Sequence, residues 1–142
     1  MTSNCIVSSA EIDDNQETGY FENLDFSEAT LDKANLQGLD LQGNNFTQAK
    51  IASTNFANAD LTNCQFDDCQ GSQALFRKSV LTGASMVRAN LMEAVLSKAI
   101  LTQVNLDKAN LYGVDFLRAT VRDTRFNNAN LDATILRDWR PS

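Results

Sequence analysis

A large apolar residue returns at every fifth position through most of this chain, and this spacing restricts the possible folds severely. Between residues 21 and 136 only Gly71 breaks the pattern, and a small residue, most often Ala, lies two places before most of the large ones. An α-helix turns residues five apart about 140° away from each other, and a flat strand sends them to opposite faces. Neither element buries this set of side chains on one side.

A chain that turns a corner every five residues does bury them. Four sides close a square coil of about 20 residues, and stacked coils hydrogen-bond at the inter-strand spacing of about 4.8 Å. We therefore predict an all-β solenoid of about six four-sided coils over residues 20–136. Residues 1–19 are predicted to be an N-terminal tail or cap, and residues 137–142 a C-terminal cap or tail. Trp139 is expected to cover the last coil, and the alternative is a subunit contact, because an exposed Trp is a typical interface anchor.

Three segments show the repeat most clearly, and they read ANLQG from Ala34, ADLTN from Ala59 and ANLME from Ala89. They resemble the A(D/N)LXX repeat of the pentapeptide-repeat family, and the resemblance runs from about Phe21 to Leu136. It implies a right-handed quadrilateral β-helix. Some members of that family protect or inhibit DNA gyrase by imitating duplex DNA with an acidic rod, usually as dimers joined through their C-terminal ends.

Three predictions concern the inward positions. Two columns of large residues are rich in Phe, so we predict ring stacking along them. Cys64 and Cys69 occupy small inward positions, and without any histidine we interpret them as buried hydrophobes and predict no metal site. Gly71 leaves its column without a side chain. We predict a local bulge or gap around residues 67–74, and a higher thermal midpoint for Gly71→Leu.

Charge is divided unevenly along the chain. Residues 1–70 carry 12 acidic and 2 basic side chains, whereas residues 71–142 carry 6 acidic and 10 basic ones. A DNA mimic needs negative charge along its whole length. Modulation of DNA gyrase is therefore the alternative function rather than the preferred one. Nucleic-acid binding is not expected, because the basic half lacks interleaved aromatics apart from Tyr112.

The preferred function is a non-enzymatic scaffold that binds a protein partner through one outward corner. Contiguous apolar surface rimmed by charge is typical of such sites, although Lys stems over apolar residues are also ordinary surface. Three cations stack in one outward column, and aliphatic residues stand beside them where the repeat usually has Asn or Asp. The eight candidate residues are Leu75, Lys78, Val80, Val95, Lys98, Ile100, Leu117 and Arg118.

A catalytic role is not expected, because a rod of tight coils has no cleft and the chain has no histidine. Asp40 and Asp60, which share an outward column, are interpreted as solvated surface. Another outward column, Asn90, Asn110 and Asn130, is predicted to form a structural amide ladder. We expect no cofactor, small-molecule substrate or membrane association. The sequence shows no secretory signal, so we predict a soluble cytoplasmic protein, either a monomer or an end-to-end dimer.

Overall fold

The computed structural model describes residue 21 and residues 23–138, and throughout this range the chain repeats one five-residue unit. The last digit of a residue's number gives its place in the unit. Digits 1 and 6 mark the large inward residue, and digits 4 and 9 the small inward one. Digits 2 and 3, or 7 and 8, mark the second and third residues of a turn. Digits 0 and 5 mark the bridge position, which pairs with the next coil.

Parallel pairing holds the coils together. Each bridge position pairs with the residue 20 places further on, from Asp25 with Asn45 to Asn110 with Asn130. Among the described residues these pairs are isolated bridges, so the four sides of each coil have no longer strands. Phe26 N donates to Asn45 O at 2.7 Å, and Asn45 N donates to Leu24 O at 3.0 Å. The same pattern recurs in coil after coil, so the backbone is cross-linked on every side.

A tight turn makes each corner. The carbonyl of the large residue accepts the N–H three residues on, as Phe26 O does from Ala29 N at 3.0 Å. The third turn residue has a positive φ at every position from Asn23 to Ala133, and only four of these residues are glycine. A side chain in this left-handed conformation costs about 1–2 kcal/mol. Ladder bonds offset the cost, since the third residue also donates to the next coil, as Lys78 N does to Ser97 O at 3.0 Å.

The interior is filled by stacked side chains, as predicted. The rings of Phe26, Phe46 and Phe66 are parallel, with centroids 5.1 and 4.8 Å apart, and those of Phe56 and Phe76 are 5.0 Å apart. Rings of adjacent columns meet edge to face at 5.7–5.8 Å. Parallel and edge-to-face pairs at these distances are both favourable, so the predicted stacking is confirmed.

The prediction of an irregular corner at Gly71 is wrong. Gly71 N donates to Asn90 O at 2.7 Å and Gly71 O accepts from Ala74 N at 3.0 Å, as in the regular units. A Cβ added at this position would lie 3.0 Å from Leu91 Cδ2 and 3.1 Å from Ile51 Cγ1. Side chains from the coils on either side therefore occupy the space that the glycine leaves. This removes the basis for expecting Gly71→Leu to raise the thermal midpoint.

Two other predictions, one about the Asn column and one about the two inward cysteines, are confirmed. Asn110 Nδ2 donates to Asn90 Oδ1 at 3.3 Å and Asn130 Nδ2 donates to Asn110 Oδ1 at 3.2 Å, which is the expected amide ladder. Cys64 and Cys69 are buried free thiols, and burial raises the pKa of each to about 12. Cys64 Sγ donates to Leu41 O at 2.9 Å.

The predictions for residues 1–19 and for Trp139 fall outside the described residues. The proposed domain boundaries stay predictions.

Candidate protein-binding corner

The three predicted cations lie on one corner of the rod. Lys78, Lys98 and Arg118 are the third residues of turns in three successive coils, and all are exposed. Their φ angles are each 60°, so the three turns present their side chains in the same way. We call the corner formed by these three turns, residues 76–79, 96–99 and 116–119, the basic corner. Like charges in such a column repel one another, since adjacent coils are only about 5 Å apart.

Aliphatic residues flank the basic corner on both sides. Leu75 is bridged to Val95 on one side, and Val80 is bridged to Ile100 on the other. Leu75 and Ile100 are each 38% exposed, whereas the two valines are half-buried. Leu117 is 57% exposed and precedes Arg118 in its turn. The structure thus brings all eight predicted residues together on one surface.

The cations of this corner are not neutralised by neighbours in the described part of the chain. The ion pairs found there are Arg88 with Asp68 and Arg125 with Asp107, both elsewhere. The hydrogen bond from Arg88 lowers the pKa of the Asp68 carboxyl. Lys78, Lys98 and Arg118 make no such ion pair with the described residues, so their charge is available to a partner.

A depression of about 400 Å³ lies on the basic corner, and it includes residues that the sequence reasoning missed. Three cations face one carboxylate in its lining, which consists of Arg77, Ser97, Lys98, Asp115, Leu117 and Arg118. Arg77 and Ser97 are the second residues of the turns whose third residues are Lys78 and Lys98. Their position one residue before the cationic column was the signal that could have revealed them.

The Asn or Asp that recurs at the bridge position has a specific role. In each unit of the inner coils four of the five backbone N–H groups are bonded within the backbone, and the N–H of the second turn residue is the fifth. Wherever the bridge position carries Asn or Asp, its Oδ1 accepts this fifth N–H two residues later. These acceptors are Asp25, Asn35, Asp40, Asn45, Asn55, Asp60, Asn90, Asn105, Asn110, Asp115 and Asn130.

This role corrects the interpretation of Asp40 and Asp60 as solvated surface. Both are half-buried. Asp40 Oδ1 accepts from Gln42 N at 3.3 Å, and Asp60 Oδ1 accepts from Thr62 N at 3.1 Å. Their carboxylates therefore stabilise turns, as short polar side chains commonly do through such local bonds.

The aliphatic flanks interrupt this arrangement. Leu75, Val80, Val95 and Ile100 offer no oxygen at the bridge position, and the second turn residues that follow them are Arg77, Thr82, Ser97 and Thr102. Among the described residues the N–H groups of these four have no acceptor. A few other turns share this feature, including those at Asp67 and Ser72. Only at Arg77 and Ser97 do the open N–H groups lie within the basic corner.

Two further properties bear on function. The described residues contain no group of three His, Cys, Asp or Glu side chains arranged to hold a metal ion. In the same part of the chain no helix is long and apolar enough to cross a membrane.

Models of known protein families match this chain through the same five-residue repeat. A model described as "Pentapeptide repeat region" matches residues 59–136, and one described as "Pentapeptide repeats (8 copies)" matches residues 20–48 and 45–70. The chain belongs to the pentapeptide-repeat family. Proteins of this family are generally structural or protein-binding repeat proteins rather than enzymes. A comparison with curated proteins finds no match.

Solved structures of pentapeptide-repeat proteins resemble this chain. A protein from the thylakoid lumen of Arabidopsis thaliana is 29% identical with a TM-score of 0.57, over 75% of this chain and 70% of that one. Rfr23 from the cyanobacterium Cyanothece 51142 is 18% identical with a TM-score of 0.61, over 84% of this chain and 92% of that one. The predicted right-handed quadrilateral β-helix is thereby confirmed.

Proposed function

We propose that this pentapeptide-repeat protein is a non-enzymatic scaffold whose rigid β-helical rod binds a protein partner through the basic corner and its aliphatic flanks. One observation carries the proposal. Three exposed cations stack in successive coils without an ion-pair partner in the described residues, between two bridged pairs of aliphatic side chains.

Charge and apolar surface both favour binding at this corner. A column of like charges is mildly destabilising in the free rod, and a partner's negative charges relieve that repulsion on binding. The aliphatic flanks add apolar area beside the charges, as in the centre of a protein interface with its polar rim. The backbone of the rod is bonded on all four sides, so the surface is pre-organised and little ordering accompanies binding.

A DNA-mimicking modulator of DNA gyrase is the alternative. Its support is the acidic first half of the chain, where residues 1–70 carry 12 acidic and 2 basic side chains. Residues 71–142 reverse this balance with 6 acidic and 10 basic side chains. A duplex mimic presents regularly spaced negative charge throughout, so this distribution favours the scaffold.

The test compares proteins retained from a lysate of the source organism by three tagged forms. These are the wild type, Lys78→Glu/Lys98→Glu, and the control Lys33→Glu/Lys108→Glu. Both double variants change the net charge equally, and all four lysines are third residues of turns with a φ of 60–63°. Quantitative mass spectrometry reports what is retained. We expect a protein that wild type and control retain equally and that the corner variant loses by about tenfold or more, as for opposed charges at an interface.

Two results would contradict the proposal. Equal retention by the two double variants would show that the basic corner is not the interface. Enrichment of gyrase subunits, with the corner variant retaining them as well as or better than the wild type, would favour the DNA-mimic alternative.

A further inference from the structure

We propose that the basic corner binds the carboxylates of an acidic protein segment, with the backbone N–H groups of Arg77 and Ser97 as hydrogen-bond donors. This inference rests on the proposed function and names the chemistry of its partner. The site is a short stretch of the rod in which the repeat's own side-chain oxygens are missing and an outside oxygen takes their place.

Neighbouring turns on the same corner show what the occupied site looks like. One coil before Arg77, Ala57 N donates to Asn55 Oδ1 at 3.0 Å. One coil after Ser97, Leu117 N donates to Asp115 Oδ1 at 2.9 Å. Between these turns Leu75 and Val95 replace Asn and Asp, and the two intervening N–H groups have no acceptor among the described residues. A carboxylate already fills this position at Asp115, so the geometry of the corner accepts one.

The surrounding charge selects an anion over a neutral acceptor. Arg77, Lys98 and Arg118 line the depression together with the hydroxyl-bearing Ser97, and the single carboxylate there, Asp115, is already bonded to Leu117 N. Hydrogen bonds from cations to carboxylates are roughly twice as strong as neutral ones. Successive coils offer one open N–H each, about 5 Å apart, so two carboxylates of one segment reach both donors.

The adjacent corner provides a comparison within the molecule. Thr82 and Thr102 also have open N–H groups, because Val80 and Ile100 precede them. The third residues of those turns are Gly83 and Gln103, and the nearest cation stacked on that corner is Arg122, one coil after Thr102. On the basic corner, by contrast, Arg77, Lys78, Lys98 and Arg118 surround the two donors. We therefore assign carboxylate binding to Arg77 and Ser97 and not to Thr82 and Thr102.

The first experiment titrates the ¹⁵N-labelled full chain with hexaglutamate at low salt and follows the backbone amides by NMR. Hexaglutamine is the neutral probe. We expect saturable shifts of the Arg77 and Ser97 amides with hexaglutamate only. Ala57 serves as an internal control, because its N–H is already bonded and should not move. Absence of hexaglutamate binding, or equal shifts with hexaglutamine, would overturn the inference.

The second experiment restores the missing oxygens. Leu75→Asn/Val95→Asn places amide acceptors where Asn55 has one, and we expect it to weaken hexaglutamate binding by about tenfold, the cost of roughly one hydrogen bond to a charged group. Val80→Asn/Ile100→Asn makes the same change on the adjacent corner and should leave the affinity within about twofold. Leu75→Ala/Val95→Ala removes the aliphatic side chains without supplying an acceptor, and should retain most of the binding. Circular dichroism checks that all three variants are folded.

The outcomes separate this inference from the proposed function. Unchanged binding by Leu75→Asn/Val95→Asn, or equal losses in the Asn and Ala variants, would overturn the role of the open N–H groups. The lysate comparison with Lys78→Glu/Lys98→Glu tests the corner independently of these donors. If that variant loses a partner while the Asn variant keeps hexaglutamate, the scaffold proposal stands and this inference fails.

Discussion

At the scale of the residue, Gly71 shows that an empty inward position need not leave a cavity. Ile51 and Leu91, one coil away on either side, are fully buried and approach within 3.0–3.2 Å of where a Cβ would stand. A close-packed interior tolerates extra atoms poorly, and overpacking typically costs about 1–3 kcal/mol.

We therefore expect Gly71→Leu to lower the thermal midpoint, measured by circular dichroism, because its side chain displaces those of Ile51 and Leu91. Gly71→Leu/Ile51→Ala gives the leucine room and should recover part of the loss. A midpoint equal to or above that of the wild type would show that both neighbours move aside at no cost.

The two buried thiols make stability sensitive to alkaline pH. Burial raises the pKa of Cys64 and Cys69 from 9.0 to about 12, so the folded protein holds these protons to higher pH than the unfolded chain does. The stability that depends on the neutral thiols is complete below pH 9 and falls as the pH rises towards 12.

Urea unfolding at a series of pH values tests this linkage. We expect the free energy of unfolding of the wild type to fall more steeply above pH 9 than that of Cys64→Ala/Cys69→Ala. Other groups also titrate in this range, but they contribute equally to both proteins. Parallel pH profiles would mean that the thiols ionise in the folded state as readily as in the unfolded one.

At the scale of the element, the five-residue unit was largely predictable and its departures were not. The period alone excludes helix and flat strand, and stacking every 20 residues places Asn90, Asn110 and Asn130 in one ladder. The recurring Asn or Asp was visible in the sequence. The hydrogen bond that its Oδ1 accepts from the second turn residue could not be predicted, because it depends on the conformation of the turn. Arg77 and Ser97 were missed for that reason. The packing at Gly71 was mispredicted because it depends on the side chains of two other coils.

The amide ladder gives a test of stacking energy between units. Asn110 Oδ1 accepts from Tyr112 N at 3.2 Å, and the Asn110 side chain also bonds Asn90 and Asn130. Asn105 Oδ1 accepts from Asp107 N at 3.0 Å, and its side chain makes no ladder bond with the described residues. Each alanine variant loses one turn cap, so their difference isolates the ladder. We expect Asn110→Ala to lower the free energy of urea unfolding by about 1 kcal/mol more than Asn105→Ala does. Equal losses would show that the ladder bonds exchange with water at no net cost.

At the scale of the whole molecule, the rod carries its charge unevenly, and the basic corner lies in the half where cations predominate. The fold and the placement of all eight candidate residues on one corner could be predicted from the sequence, because a regular solenoid converts sequence spacing directly into position. The identity of the partner could not be predicted, since an outward column shows only which chemistry it offers. The open N–H groups of the basic corner became visible only with the hydrogen bonds of the surrounding turns.

Among the described residues, two turns of the basic corner lack the acceptors that the neighbouring turns on that corner have. Amide hydrogen exchange over the whole backbone, followed by NMR, detects this difference residue by residue. We predict fast exchange at Arg77 and Ser97 within a protected rod, and slower exchange at Ala57 and Leu117, whose N–H groups are bonded to Asn55 and Asp115 on the same corner. Equal protection at all four amides would mean that the corner has no open donors and that Arg77 and Ser97 form no carboxylate site.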